Sequence, residues 1–64
     1  MWMNPARDLP ADAEVVIGVF AVFEVVDRCK RDGETWWREN ADDEWVLTLP
    51  PDMWTHWPRT SRTT

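Results

Sequence analysis

The chain has 64 residues, and its 12 acidic and 7 basic side chains give it a formal net charge of −5. This surplus of negative charge repels phosphate backbones, so the composition argues against direct nucleic-acid binding. No apolar stretch approaches the roughly 20 residues of a membrane-spanning helix. No signal peptide is visible either, so we expect a soluble cytoplasmic protein without a membrane partner.

Six of the residues are tryptophan, an unusual number for so short a chain. A domain of this size buries only about 60% of the surface that its unfolded chain exposes. Each buried indole removes roughly 150–250 Å² from water, so the tryptophans must either build the core or form an aromatic surface for a partner. A homodimer would supply further burial, and the composition leaves this open.

The first part of the chain, from Pro5 to Ala13, is predicted to be extended, because each proline disfavours helical geometry in the residue before it. We expect the Leu9-Pro10 step to anchor this segment against the rest of the domain. The following residues, Glu14 to Phe20, are rich in β-branched side chains and predict a strand. Since apolar residues occupy both alternating sets of positions, we expect a central strand that is covered on both faces.

The pair Asp32-Gly33 indicates a two-residue hairpin turn of type I′. Such a turn fixes which residues of the two strands lie opposite each other. The predicted pairs are Arg31 with Glu34, Lys30 with Thr35, Cys29 with Trp36, Arg28 with Trp37, and Asp27 with Arg38. Two of these pairs join opposite charges, and cross-strand pairs of this kind contribute about 0.2–1 kcal/mol each.

A helix over residues 20–31 is the alternative for the same segment. Val19, Val22, Phe23 and Val26 recur at helical spacing, and Gly33 would suit the position that follows a helix. The valines argue against it, because β-branched side chains lose rotamer freedom in a helix. The strand interpretation in turn requires either a very tight connection near residues 20–22 or a single bent strand in place of the first two.

After a polar loop over residues 39–44, the segment Trp45 to Leu49 predicts a short strand that ends at Pro50. Residues 54–57 predict a last strand, with Trp54 and His56 on one side and Thr55 and Trp57 on the other. Residues 59–64 are polar and are expected to be frayed. The sequence thus predicts one mainly β domain, residues 1–64, built on a small antiparallel sheet of three or four strands in a meander.

Little in the chain points to catalysis or metal binding. Cys29 and His56 are the only residues of their kinds, which excludes an internal disulfide and leaves too few ligands for a zinc site. The carboxylates of residues 42–44 lack the spacing and the glycine of a calcium loop. We therefore predict a protein that is not an enzyme and has no catalytic residue, cofactor or metal.

Binding to another protein is the more promising interpretation of the tryptophans. Trp36 and Trp37 must point to opposite faces of one strand, so one of them is exposed unless both faces are covered. Tryptophan and arginine dominate the energetic centres of protein interfaces. The candidate partner-binding residues are Arg28, Trp37, Trp54, His56 and Trp57.

Several short features occur in order along most of the chain: Trp2, Arg7-Asp8-Leu9-Pro10, Glu14-Val15-Val16-Ile17, Asp32-Gly33 with Trp36-Trp37, and Thr55-His56-Trp57-Pro58. This order resembles a family of small phage and prophage proteins, known as domain of unknown function 551. Only the Thr-His-Trp ending is distinctive. The resemblance implies a small antiparallel sheet and a phage or prophage origin, and it implies no catalytic residue.

These features favour a non-enzymatic protein that binds and modulates or inhibits a host protein, such as a defence or regulatory factor. The alternative is an acidic mimic of DNA that occupies a nucleic-acid-binding enzyme. That alternative requires a single ordered stripe of carboxylates from Asp27, Glu34, Glu39 and residues 42–44.

Overall fold

In a computed structural model, which describes residues 1–57, the chain forms one antiparallel sheet of five strands. The strands are β1 (Val16–Phe20), β2 (Val25–Asp32), β3 (Thr35–Glu39), β4 (Trp45–Thr48) and β5 (Met53–His56). Their order across the sheet is β4-β3-β2-β1-β5, so the first four strands form a meander and β5 returns to pair with β1. The prediction of a mainly β antiparallel sheet is confirmed, with five strands instead of three or four. The prediction for residues 59–64 lies outside the described residues.

The connection between β1 and β2 is a loop over residues 21–24, longer than the sequence pattern suggested. Two backbone bonds hold it, from Phe23 N–H to the Phe20 carbonyl and from Glu24 N–H to the Ala21 carbonyl, each 3.0 Å long. The valines that follow continue into β2, where Val26 lies opposite Val19. The alternative helix over residues 20–31 is therefore not formed.

The hairpin between β2 and β3 differs from its predicted register by two residues. Asp32 pairs with Thr35, so the loop is Gly33-Glu34, and Gly33 has the positive φ of 64° that glycine accommodates at the first loop position. Arg28 consequently lies level with Glu39 instead of Trp37. A two-residue shift leaves every side chain on its predicted face, because side chains alternate with a period of two.

The sheet is strongly curved, as the short connection between β4 and β5 requires. In a flat sheet β4 and β5 would be separated by four inter-strand spacings, a distance of about 19 Å. The chain from Thr48 to Met53 spans at most about 18 Å when fully extended. The connection crosses one face of the sheet, where Pro51 lies against Gly18, and Asp52 N–H donates to the Val19 carbonyl at 2.8 Å.

That face, the covered face, holds the core. Its buried apolar side chains alternate along the strands and are Val16, Phe20, Cys29, Trp36 and Trp54. Met3 and Val25 pack against them. The core is small, as the length of the chain predicts.

The N-terminal segment supplies much of the cover. Met3 forms a two-way backbone bridge with Trp54, and the Trp54 indole N–H donates to the Asp8 carbonyl at 2.7 Å. Pro10 is buried and its carbonyl accepts from the Arg31 guanidinium at 3.2 Å, whereas Leu9 is exposed. The anchor at the predicted Leu-Pro step is thus the proline.

Candidate protein-binding face

The opposite side of the sheet, which we call the open face, is apolar as well. Its polar strand positions are Arg28, Lys30, Asp32, Thr35, Glu39 and Thr55. The strand register and the alternation of side chains place eight apolar residues there: Ile17, Val19, Val26, Trp37, Trp45, Leu47, Met53 and Trp57. An antiparallel sheet with one face in solvent normally carries polar residues on that face. The open face departs from that rule.

Several of these side chains are largely in contact with solvent. Leu47 is 67% exposed, Val26 59% and Trp57 43%. The pattern of β1 predicted a cover on both faces, but residues 1–57 provide a layer over one face only, and Ile17 and Val19 remain half-buried on the other. Exposed apolar patches with polar neighbours are typical of surfaces that bind another protein.

Three charged side chains on the open face, those of Arg28, Lys30 and Glu39, are paired or stacked on aromatic rings. The Arg28 Nε donates to Glu39 Oε1 at 2.6 Å, and the same guanidinium lies 5.3 Å from the centre of the Trp57 ring. The Lys30 ammonium lies 4.4 Å from the centre of the Trp45 ring. These contacts hold the two rings in place, and the Arg28–Glu39 pair brings opposite charges together.

A shallow pocket lies where the open face meets the end of β2. It is lined by Ala13, Lys30, Asp32, Trp37 and Trp45. The rings of Trp37 and Trp45 line this pocket together with the Lys30 ammonium and the Asp32 carboxylate. Such a pocket suits an apolar side chain of a partner protein that ends in a polar group.

Three of the five predicted binding residues, Arg28, Trp37 and Trp57, share the open face. The structure corrects the prediction for Trp54, which is only 2% exposed and belongs to the core. His56 is exposed, but it projects from the covered side of β5, where its Nδ1 lies 3.0 Å from Glu14 Oε2. The alternation that placed Trp37 outside also places Trp45 and Leu47 there, although the predicted set omits both.

Cys29 and His56 do not form a reactive pair. Val16 lies between them, paired with Cys29 on one side and with His56 on the other. Burial, with a smaller contribution from the Asp27 carboxylate, raises the pKa of the Cys29 thiol to about 12. A buried thiol with a raised pKa is a poor nucleophile.

This buried thiol predicts a loss of stability in alkali. The unfolded chain releases the thiol proton near pH 9.0, whereas the folded chain retains it until about pH 12. The protonated Cys29 thiol therefore makes its full contribution to the free energy of unfolding below pH 9. Above that pH we expect the free energy of unfolding to fall by about 1.4 kcal/mol per pH unit. Denaturant unfolding at several pH values measures it, with Cys29→Ala as the control. An equal slope in the control would contradict the assignment to Cys29.

The carboxylates that a DNA mimic would need are dispersed. Asp27 lies on the covered face, where it accepts from Arg38 at 3.1 Å, and Glu39 lies on the open face beside Arg28. Glu34 occupies the tip of one hairpin, and residues 42–44 form the loop at the opposite end of β3. This arrangement forms no single stripe and disfavours the mimic.

A comparison of the chain with protein-family models, curated proteins and solved structures finds no match. The resemblance to the phage family therefore stays a prediction. Residues 1–57 contain no helix of the length and apolar character needed to cross a bilayer. Over the same part of the chain, no three His, Cys, Asp or Glu side chains are grouped as they would be around a metal ion.

Proposed function

We propose that this chain is a non-enzymatic protein of phage or prophage origin that binds a host protein through its open face, inside the host cell, and so modulates or inhibits that protein. The observation that supports this most directly is the apolar, tryptophan-bearing side of the sheet that no described residue covers. The phage origin rests on the sequence resemblance alone.

The open face has the composition of an interface centre. Trp37, Trp45 and Trp57 offer large, rigid apolar surfaces, and residues of this kind dominate binding energies. Arg28 and Lys30 lie over two of these rings and would become desolvated with them. Burial of these rings by a partner strengthens such cation–π contacts.

The distribution of charge indicates what the partner looks like. Loops at both ends of the sheet carry carboxylates, among them Glu24 and residues 42–44 at one end and Asp12 and Glu34 at the other. A host protein with an apolar patch and basic residues around it would complement this surface. Complementary charges at the rim raise the association rate more than the affinity.

Affinity capture from host lysate, followed by mass spectrometry, tests the proposal. We expect one host protein to be recovered in stoichiometric amounts by the natural chain. Trp57→Ala should weaken that complex by about 2 kcal/mol, roughly 30-fold in Kd, as for an interface hot spot. Phe23→Ala is the matched control, because Phe23 is also an aromatic residue exposed by 43% and lies in a loop off the open face.

Two results would contradict this assignment. If no host protein is recovered in stoichiometric amounts, the chain does not function by stable binding. If Trp57→Ala and Phe23→Ala retain the partner equally well, binding uses a surface other than the open face. Circular dichroism of both variants shows whether the sheet is intact.

A further inference from the structure

The two edge strands of the sheet, β5 and β4, differ in whether their outer backbone groups are hydrogen-bonded. At the β5 edge, Met3 N–H donates to the Trp54 carbonyl at 2.6 Å and Trp54 N–H donates to the Met3 carbonyl at 2.9 Å, while the Thr55 hydroxyl bonds the Met1 carbonyl. The β4 edge, from Trp45 to Thr48, receives no backbone bond on its outer side from any residue in the range 1–57. An unpaired edge is a template for another strand.

The direction of the free backbone groups on β4 follows from its pairing with β3. Asn40 N–H donates to the Glu44 carbonyl at 2.8 Å, which makes residues 40 and 44 a hydrogen-bonded pair. Bonded and non-bonded pairs alternate along an antiparallel ladder. Val46 and Thr48 therefore bond to β3, and the N–H and C=O groups of Trp45 and Leu47 point outward.

Natural sheets protect exposed edges with lysine, other charges, proline or a bulge. Strand β4 reads Trp-Val-Leu-Thr and contains none of these protective residues, and Leu47 in its middle is the most exposed residue of the strand. The residue after it, Leu49, is also largely exposed. An edge of this composition is suited to pairing.

We propose that β4 pairs with β4 of a second copy of this chain, antiparallel about a two-fold axis at Leu47, to form a continuous ten-stranded sheet. Outward-pointing residues must face each other, so Leu47 meets Leu47 of the second copy and Trp45 meets Leu49 of that copy. Because paired residues keep the same face, the two open faces become one surface.

For pairing with a second copy, the charges beside β4 favour the antiparallel orientation. The carboxylates of residues 42–44 precede β4, and the uncharged prolines 50 and 51 follow it. In an antiparallel pair each acidic loop lies beside the prolines of the other copy, whereas a parallel pair would bring six carboxylates together. A self-pairing edge also adds burial to a domain whose core is small.

Disulfide trapping tests the pairing directly. Facing residues of a hydrogen-bonded antiparallel pair have Cα atoms about 5.5 Å apart, within the range that a disulfide spans. We expect Leu47→Cys to form a covalent dimer, twice 7.6 kDa, rapidly on oxidation with diamide. Glu34→Cys, at the exposed tip of the β2–β3 hairpin, is the control for random collision. Cys29 is fully buried in both and should not react.

A non-covalent test uses the outward N–H of Leu47. Leu47→Pro removes that donor without removing a bond to β3, so sedimentation should show a monomer, while Leu47→Ala retains the dimer. Cross-linking of Leu47→Cys no faster than Glu34→Cys would overturn the proposal, as would a natural chain that remains monomeric at millimolar concentration.

These outcomes are distinct from failure of host binding. The host-binding test alters Trp57, which follows β5 at the other end of the strand order, and it leaves β4 intact. A monomer whose β4 edge binds an extended peptide would assign the edge to a different occupant and would likewise overturn the dimer.

Discussion

Replacement of Trp54 by alanine is expected to destabilise the domain by about 3–5 kcal/mol, the usual cost of deleting a large buried aromatic side chain. The ring is 2% exposed, and its N–H bonds the Asp8 carbonyl, so the change also releases the N-terminal segment. A domain of this length has a total stability of roughly 3–10 kcal/mol. We therefore expect a large shift in the denaturation midpoint, measured by circular dichroism, or a chain that is unfolded in buffer.

Two further variants separate packing from the hydrogen bond. Trp54→Phe keeps an aromatic ring but leaves the Asp8 carbonyl without its donor, and we expect a loss of about 1–3 kcal/mol. Trp57→Ala is the matched tryptophan control, since Trp57 lies on the open face and is 43% exposed. A loss of stability in Trp57→Ala as large as that in Trp54→Ala would contradict the division between a covered and an open face.

Replacement of Gly18 by alanine is expected to cost about 1–3 kcal/mol, as overpacking of a filled core does. A methyl group at this position would lie 2.8 Å from Cys29 Sγ and 2.9 Å from Pro51 Cβ. The Pro51 contact is the costlier one, because this proline belongs to the connection that crosses the covered face. Urea unfolding of the variant beside the natural chain measures the effect.

Gly33→Ala is the matched control for Gly18→Ala, because at Gly33 the strain comes from the backbone conformation and not from close contacts. Nothing lies within 4 Å of the added methyl, so only the positive φ of 64° opposes the change, at about 1–2 kcal/mol. Combining Gly18→Ala with Cys29→Ala should recover part of the loss, because one of the two close contacts disappears. An additive double variant would show that the sulfur atom is not the obstacle.

The strands and their faces could be predicted because both depend on local patterns. Valine density identifies β1 and β2, and a period of two assigns Trp36 to one face and Trp37 to the other. These assignments hold although the hairpin register is shifted, since a shift of two residues preserves the face of every side chain.

The register itself could not be predicted from the turn alone. Both Asp32-Gly33 and Gly33-Glu34 place a glycine in a two-residue loop, so turn chemistry permits either. The observed register places two pairs of opposite charges in contact away from the turn. These pairs are Arg28 with Glu39 and Asp27 with Arg38. The latter pair was predicted as direct neighbours and is made diagonally.

The neighbours within the candidate site depend on strand order, which the sequence pattern does not reveal. Arg28 was predicted beside Trp37, but its guanidinium lies over Trp57, because β5 pairs with β1 and thereby approaches β2. The burial of Trp54 likewise depends on an N-terminal segment that is more than 40 residues away in the chain. These contacts join residues that are distant in the sequence, and they form only when β5 pairs with β1 and the N-terminal segment packs on β5.

The return of β5 to β1 also has a kinetic consequence. The ladders of β1–β2, β2–β3 and β3–β4 join hairpin neighbours, whereas the β1–β5 ladder joins residues as far apart as Val16 and His56. Closing so long a loop has an entropic cost that precedes any gain from contacts. Until that closure, Val16 and its neighbours in β1 offer a bare hydrogen-bonding edge to other nascent chains. The risk of aggregation during folding is therefore expected to fall when β5 pairs with β1.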